Sequence, residues 1–205
     1  MQLPDDIRLR TEAFDAAEAD AWPALLSDEE RARYEAFRTE GRKREFLLGR
    51  VALRRLLAPS AIPLRVTEAG AVEVIGAPWH VSLAHSNDRS VAVVGRRRVG
   101  VDLERVRACS PRAIDFVLRP DERALLDTLP MDRERAFVLC WALKEAVLKA
   151  LGTGLRRAPK KVRLEVDAAA QKAVARAWDE SRWEARFEET GGFVLAVAYE
   201  AHDAP

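Results

Sequence analysis

The chain has 205 residues, 48% of them hydrophobic, which is enough for one large domain or two small ones with a real core and makes disorder improbable. Its 34 basic and 33 acidic residues leave a net charge of +1. That balance argues against a protein that holds nucleic acid or an acidic membrane by bulk electrostatics alone.

The cysteines and the N-terminus indicate a compartment. Cys109 and Cys140 are far apart and have no metal-ligand spacing, which suits a reducing cytosol better than a disulfide-bonded secreted domain. The N-terminus is charged, and no run approaches the ~20 apolar residues of a membrane span. We therefore expect a cytoplasmic protein.

The segment 27–58 predicts two helices. Ser27 and Glu30 have the spacing of a capping box at the start of the first. The second, GRKREFLLGRVALRRLLA, has apolar residues at a helical period, and Pro59 is expected to end it. Its basic residues, including Arg42 and Arg50, could bind phosphate, although such a run is usually a solvated face.

Short β-rich runs follow between 64 and 104. They are VEVI at 72–75, WHVSL at 79–83, SVAVV at 90–94 and VGVDL at 99–103. The GRRR between the last two predicts a hairpin. Helical sequence returns from 111 to 151, and three further strands are predicted at 161–166, 183–189 and 193–200.

The order of helices then strands thus occurs twice, with faint self-similarity. DEERA at 28–32 resembles DERA at 121–124, and FLLGRVALRRLLA at 46–58 resembles FVLCWALKEAVLK at 137–149. Helices rich in Ala, Arg and Leu also resemble one another by chance. A true duplication would give an α+β fold of two similar halves packed on each other, with their junction near Arg96–Arg98.

The helix predicted over 138–151 carries charges in apolar surroundings. Its apolar face consists of Leu139, Ala142, Leu143, Ala146, Val147, Ala150 and Leu151. Trp141 lies opposite that face between Val138 and Leu148, so we expect the helix to be buried between two layers. Glu145 lies near Trp141, and Lys149 follows one turn later. The alternative is an ordinary Glu–Lys pair on a solvated surface, but a buried carboxylate must be paired or hold a metal.

Two carboxylates share one face of the strand at 99–107. Asp102 and Glu104 point to one side, and Val99, Val101 and Leu103 point to the other. Their repulsion would be relieved by Mg²⁺, which takes one or two carboxylates together with phosphate oxygens. The alternative is a wet strand face with nearby arginines as partners.

His85 follows a predicted strand and begins the polar turn Ser86-Asn87-Asp88. Backbone N–H groups and an imidazole in such a turn could bind an anion. A lone turn histidine without a ligand remains the alternative.

Together these motifs resemble the Sfp-type 4'-phosphopantetheinyl transferases. The matching residues are His85-Ser86, the run Gly100–Glu104 and the long stretch Trp141–Leu155. DFVLRPDERALL at 115–126 and the helix at 46–58 also resemble the family, so the likeness extends from about residue 27 to 199.

The resemblance implies a pseudo-dimer of two α+β halves, each a small antiparallel sheet packed on a long helix. The halves would be 1–98, with the coenzyme A contacts, and 99–205, with the metal and catalytic motifs. It also implies Mg²⁺-dependent transfer of the phosphopantetheine arm of coenzyme A to a serine of an apo acyl or peptidyl carrier protein. Adenosine 3',5'-bisphosphate would be released.

The resemblance also implies residue roles. Asp102, Glu104 and Glu145 would hold the metal, and Glu145 would take the serine proton directly or through water. Lys149 would contact the leaving phosphate and, with Asp102 and Glu145, form the catalytic set. The remaining coenzyme A contacts would be His85, Ser86, Arg42 and Arg50.

The sequence departs from the family in two places. Ala84 replaces a common serine, and EAGAVEVIGAP at 68–78 lacks the usual lysine, which puts one nucleotide contact in doubt. These departures motivate a rival hypothesis, a non-catalytic binding module on the same fold. A metal-dependent nuclease is the other rival, but a near-neutral chain lacks the basic excess it usually needs. A pseudo-dimer has used its twofold surface internally, so we expect a monomer.

Overall fold

The computed structural model describes residues 1–57, 62–67 and 70–201 and has a mixed α and β architecture with antiparallel sheets, as predicted. The helices are α1 (Asp28–Glu35), α2 (Glu40–Leu57), α3 (Pro111–Val117), α4 (Leu125–Thr128) and α5 (Arg133–Ala150). The strands are β1 (Ile7–Ala13), β2 (Leu64–Val66), β3 (Val72–Val74), β4 (His80–Ser86), β5 (Arg89–Gly95), β6 (Val99–Arg105), β7 (Arg163–Asp167), β8 (Lys172–Arg176), β9 (Arg182–Thr190) and β10 (Phe193–Glu200).

The first sheet has the order β1-β5-β4. Its β4–β5 hairpin turns at Asn87, whose φ of 56° is left-handed, a conformation that asparagine tolerates. Helix α2 packs on this sheet through an apolar cluster that includes Leu53, Ala92 and Val94. A small pair, β2-β3, lies beside it.

The second sheet has the order β6-β10-β9-β8-β7 and carries α5. Every residue of α5 from Ala136 to Leu148 except Trp141 is buried, which confirms that the helix is enclosed on more than one side. The largest apolar cluster of the described chain lies between this helix and its sheet.

The two sheets pack face to face. Because side chains alternate along a strand, Val91 and Val93 of β5 face β6 and β10, whereas Ala92 and Val94 face α2. The same alternation sends Val197 of β10 towards the first sheet. The order of layers is therefore α2, first sheet, second sheet, α5.

The structure confirms the predicted capping box at Ser27 and contradicts the predicted hairpin between residues 90 and 103. The capping box is present, since Ser27 Oγ accepts from Glu30 N at 3.3 Å and Glu30 Oε2 accepts from Ser27 N at 3.0 Å. The predicted hairpin across GRRR does not form, because β5 and β6 belong to different sheets and the chain passes between them at Arg96–Arg98.

Strands β1, β2 and β8 were not predicted, and Pro59 lies outside the described residues. The sheets have three and five strands, so equivalence of the two halves stays a prediction. Among the residues that the structure describes, no helix combines the length and apolarity needed to cross a bilayer.

Candidate active site

The site forms where α5 lies unusually close to β6. A Cβ on Gly100 would lie 2.0 Å from the carbonyl oxygen of Ala146 and 2.6 Å from the nitrogen of Ala150. Only glycine allows this approach. It brings Asp102 and Glu104, which β6 points towards the helix, into contact with Lys149 and Trp141 of α5.

Asp102 lies at this contact and is 5% exposed. Val101 and Leu103 point into the cluster between the sheets, so the predicted alternation along β6 is confirmed and the wet-face alternative is wrong for Asp102. Lys149 Nζ donates to Asp102 Oδ1 at 2.8 Å. Asp102 Oδ2 is buried and has no hydrogen-bond partner in the protein.

Glu145 lies on the facing side of α5 and is 7% exposed. Its Oε1 is buried without a hydrogen-bond partner. Burial, followed by the charge of Asp102, raises the pKa of Glu145 to about 7, although Lys149 opposes the shift. Glu145 is therefore not half of a solvated Glu–Lys pair, because it is buried and Lys149 donates to Asp102.

Glu104 lies two residues further along β6, where Trp141 Nε1 donates to its Oε1 at 2.9 Å. Burial and the charge of Asp102 raise the pKa of Glu104, and the Trp141 hydrogen bond opposes this. Arg107 Nη2 is 3.9 Å from the second oxygen. Trp141 therefore orients the carboxylate of Glu104 and also packs against the apolar cluster of α5.

A cleft of about 330 Å³ lies between α2, β4 and the end of α5. Five predicted residues lie on its wall, namely Arg42, Arg50, His85, Glu145 and Lys149. Ser86, Asp102 and Glu104 are not part of that wall, although Asp102 contacts it through Lys149. The wall also includes Arg33 of α1, which the sequence analysis overlooked because α1 resembles an exposed charged helix.

The two predicted arginines of α2 on the cleft wall differ in how strongly the protein restrains them. Arg50 is 4% exposed, and its Nε lies 2.9 Å from Glu30 Oε1. Burial lowers the pKa of Arg50, and Glu30 opposes that shift. Arg42 is on the surface, where it pairs with Glu45 at 2.7 Å. Arg42 is therefore free to change partner, whereas Arg50 is fixed.

His85 ends the cleft wall beside Glu45, with 3.9 Å between its Nδ1 and a carboxylate oxygen. Burial lowers the pKa of His85, and the charges of Lys149 and Arg42 lower it further, although Glu45 opposes them. Ala84, where the family often has serine, faces the cluster between the sheets with its side chain. A hydroxyl there would not face the same side as His85.

Lys144 is a residue whose role the sequence analysis missed. It is fully buried, and its Nζ lies 2.5 Å from Glu122 Oε2. Glu122 also accepts from the backbone N–H groups of Leu164 and Arg119, at 2.9 and 3.0 Å. This ion pair fixes the rotation of α5 and hence the direction of Glu145. A lysine within an apolar helical stretch was the available signal.

The carboxylates fit a divalent cation in their chemistry. Asp102 Oδ2 and Glu145 Oε1 are both buried without partners, and the charge of Asp102 raises the pKa of both glutamates. A cation would satisfy these oxygens and relieve the repulsion. Across the described ranges, no group of three or more His, Cys, Asp or Glu side chains is arranged to hold a metal ion, so the partner-free oxygens of Asp102 and Glu145 are the observation that favours a cation.

Comparison with known proteins gives a consistent result. Residues 98–198 match the model of the 4'-phosphopantetheinyl transferase superfamily. The chain is 31% identical over 173 residues to 4'-phosphopantetheinyl transferase HetI from Nostoc, covering 76% of this chain and 72% of the relative. It is 30% identical over 139 residues to 4'-phosphopantetheinyl transferase psf-1 from Bacillus pumilus, covering 64% and 60%.

The chain thus spans about three fifths of the length of psf-1. Among solved structures, holo-[acyl-carrier-protein] synthase from Thermotoga maritima aligns with a TM-score of 0.43 and 25% identity. That alignment covers 51% of this chain and 63% of the synthase.

Proposed function

This chain belongs to the 4'-phosphopantetheinyl transferase superfamily, and on that premise we propose that it transfers the phosphopantetheine arm of coenzyme A to a serine of an apo carrier protein. Adenosine 3',5'-bisphosphate is the second product. The single observation that carries the proposal is Glu145, a buried carboxylate without a partner at Oε1, on the wall of a cleft that also presents arginines.

The reaction needs a base and a means of holding phosphates. The serine oxygen forms a bond to the β-phosphorus of coenzyme A, and the bond from that phosphorus to the bridging oxygen breaks. The serine proton passes to Glu145, directly or through water. Burial raises the pKa of Glu145 to about 7 when no cation is bound, and its partner-free Oε1 is available to accept the proton.

The cationic wall would hold the nucleotide end. Arg42 and Arg50 can donate to phosphate oxygens, and His85 lies at the same wall. Arg33 lies on the same wall and would replace the lysine that the 68–78 segment lacks. Ser86 is the least supported contact, since it lies outside the wall. Lys149 lies on the same wall and would contact the leaving phosphate, forming the catalytic set with Asp102 and Glu145.

Asp102, Glu104 and Glu145 would hold Mg²⁺, which when bound neutralises charge that develops on the pyrophosphate. The protein itself supplies a dry setting in which such charges interact strongly. Trp141 and the apolar residues of α5 exclude water from the carboxylates.

We further propose that the halves 1–98 and 99–205 form a pseudo-dimer. Supporting this, each has an 18-residue helix, α2 or α5, on an antiparallel sheet. A pseudo-dimer uses its twofold surface internally, which favours a monomer. The widely separated Cys109 and Cys140 favour a reducing compartment, the cytoplasm. The partner is an acyl or peptidyl carrier protein, and neither nucleic acid nor membrane is needed.

Intact-protein mass spectrometry tests the function. The protein is mixed with coenzyme A, Mg²⁺ and a panel of apo carrier proteins, and each reaction is repeated with EDTA. A carrier that gains one phosphopantetheine arm only with Mg²⁺ is the expected result. Binding of coenzyme A without transfer to any carrier would favour a binding module instead.

The matched variant is Glu145→Gln, which keeps the shape of the side chain but cannot act as a base. Transfer should be abolished while the circular dichroism spectrum is unchanged. Near-normal turnover would refute the assignment of Glu145.

A further inference from the structure

We propose that Arg97 is a positioning residue, which holds the two sheets in one relative orientation and so fixes the shape of the cleft without lining it. Arg97 belongs to the run Arg96–Arg98, where the chain passes from β5 of the first sheet to β6 of the second. Among the described residues of the cleft wall, Arg97 does not occur. Its effect on coenzyme A rests on the proposed function, whereas its effect on the two sheets does not.

The three consecutive arginines of this junction each lie against a different aromatic ring. Arg96 lies 5.1 Å from the ring centroid of Trp79, just before β4 of the first sheet. Arg98 lies 4.9 Å from the ring centroid of Trp183 in β9, and it donates to the carboxylate of Glu200 in β10. The ring against Arg96 thus belongs to the first sheet's side of the molecule, and the ring against Arg98 belongs to the second.

Arg97 differs from its two neighbours because its guanidinium contacts both sides. Its Nη2 donates to Asp6 Oδ1 at 2.8 Å, and Asp6 directly precedes β1 of the first sheet. Its Nη1 donates to the backbone oxygen of Glu200 at 3.2 Å, and its guanidinium lies 4.9 Å from the ring centroid of Tyr199. Tyr199 and Glu200 belong to β10 of the second sheet. One planar group thus joins the start of β1 to the end of β10.

The surroundings of this bridge are largely buried, so it stabilises more than a surface ion pair does. The side chain of Arg97 is 14% exposed, and Tyr199 is fully buried. Tyr199 belongs to the apolar cluster between the sheets, together with Ile7 of β1 and Val197 of β10. Hydrogen bonds to a charged group are stronger than neutral ones, and solvent screens them less when they are buried. Arg97 therefore closes one end of the cluster between the sheets.

A second arginine closes the opposite end of the same cluster. Arg89, at the start of β5, lies 4.7 Å from the ring centroid of Phe193 at the start of β10. Phe193 also belongs to the cluster between the sheets. The pair formed by Arg97 and Tyr199 lies beyond the end of β5 and at the end of β10. Two contacts at opposite ends of one layer fix an angle between the sheets that a single contact would leave free.

The relative orientation of the sheets matters because the predicted site uses residues from both sides. Arg50 and His85 belong to α2 and β4, on the side of the first sheet. Asp102 and Glu145 belong to β6 and α5, on the side of the second. A ligand that contacts both groups binds only those molecules in which their separation is correct. Its apparent dissociation constant rises as the fraction of such molecules falls.

Hydrogen exchange of the ligand-free protein in EDTA tests the structural role. Val101 N donates to Ser82 Oγ at 3.1 Å, a buried hydrogen bond that joins β6 to β4 across the boundary between the sheets. Exchange at this amide requires the sheets to separate, so Arg97→Met should accelerate it about tenfold or more. The amide of Leu143, within α5, is the internal reference and should change less than about threefold.

Arg96→Met is the matched control, since it removes a stacked arginine from the side of the first sheet alone, and it should leave the Val101 amide unchanged. An unchanged Val101 amide in Arg97→Met overturns the proposal. Equal acceleration at Val101 and Leu143 would indicate a general loss of stability and would overturn it as well.

Calorimetric binding of coenzyme A, at a temperature at which every variant is folded, tests the consequence for the cleft. Arg97→Met should weaken binding about fivefold or more, although the residue lies outside the cleft wall. Arg96→Met and Arg98→Met should stay within about twofold of wild type. Wild-type affinity in Arg97→Met, or an equal loss in all three variants, overturns the positioning role. No binding by the wild-type protein overturns the proposed function, and hydrogen exchange still decides whether Arg97 joins the sheets.

Asp6→Asn is a milder variant that applies if Arg97→Met does not fold. It weakens the contact of Arg97 on the side of the first sheet and leaves the contacts with β10 in place. We expect exchange at the Val101 amide to rise about threefold or more. Asp5→Asn, at the exposed neighbouring position, is its control and should behave as wild type. Wild-type exchange in Asp6→Asn would contradict the bridge between the sheets.

Discussion

The two long helices are anchored in parallel ways. In the first half, Glu30 lies against Arg50 and Arg54 of α2, at 2.9 and 2.7 Å. In the second, Glu122 lies 2.5 Å from Lys144 of α5. Each glutamate also accepts a backbone N–H at the start of its own helical turn. The resemblance between DEERA and DERA thus has a physical counterpart, a buried acidic anchor for each helix.

The two helices differ at the residue that follows Lys144 in α5. When FLLGRVALRRLLA is aligned with FVLCWALKEAVLK, Arg54 of α2 coincides with Glu145 of α5. Arg54 closes onto Glu30, whereas Glu145 Oε1 stays buried without a partner. A buried carboxylate without a partner lowers the free energy of unfolding. Its presence in the second half is therefore typical of a functional site.

Breaking the anchor of α5 should have the largest effect. Lys144→Met leaves Glu122 charged and buried, so we expect the free energy of unfolding to fall by about 3–5 kcal/mol in urea denaturation. The control is the double variant with Glu122→Leu, which should recover part of the loss. A loss no larger in the single variant than in the double one would contradict the anchor.

Removing the unpaired charge should act in the opposite direction and depend on pH. The folded-state pKa of Glu145 is raised from its ordinary value of 4.5 to about 7, so its stability contribution is present below pH 4.5 and lost as the pH rises through 7. Glu145→Gln should therefore gain stability relative to wild type between pH 5 and pH 8, by up to about 3 kcal/mol.

Denaturation at both pH values in EDTA measures this gain. Glu165→Gln, at an exposed position of β7, is the control and should follow wild type. A constant difference between Glu145→Gln and wild type across the pH range would refute the raised pKa.

Weakening the anchor of α2 should cost less than weakening that of α5. Arg50→Met leaves Glu30 with Arg54, so we expect a loss of about 1–3 kcal/mol in the free energy of unfolding. A loss equal to that of Lys144→Met would mean that Arg54 does not compensate.

A substitution at the exposed end of α2 should lower the affinity for coenzyme A with little change in the free energy of unfolding. Arg42 pairs with Glu45 on the surface, so Arg42→Gln should change the free energy of unfolding by less than about 1 kcal/mol. Coenzyme A affinity should nevertheless fall several-fold, because a phosphate donor is lost. Lys43→Gln removes a comparable surface pair outside the cleft wall and should leave affinity unchanged.

The sequence predicted what depends on local periodicity. The alternation along 99–105 identified Asp102 as a residue of the face opposite Val101, and the helical spacing of Glu145 and Lys149 put both at one end of α5. The direction of a side chain along a strand or helix follows from the spacing of its neighbours within a few residues. It can therefore be predicted without knowing which distant segments pack against it.

The sequence could not predict what depends on distant partners. Strand β1 pairs with β5, about 80 residues later, and its own pattern IRLRTEA has few apolar residues. The hairpin prediction failed because consecutive apolar strands usually pair, whereas β5 and β6 lie in separate layers. The acceptors of Lys149 include two backbone carbonyls, which no side-chain pattern reveals.

The position of β6 in its sheet also determines when the site can form during synthesis. The ladder partner of β6 is β10, Phe193–Glu200, which follows it by about 90 residues. A ribosome must therefore deliver the polypeptide through residue 200 before the strand that carries Asp102 can pair. Nascent chains should acquire the α2 layer early and the carboxylate strand last.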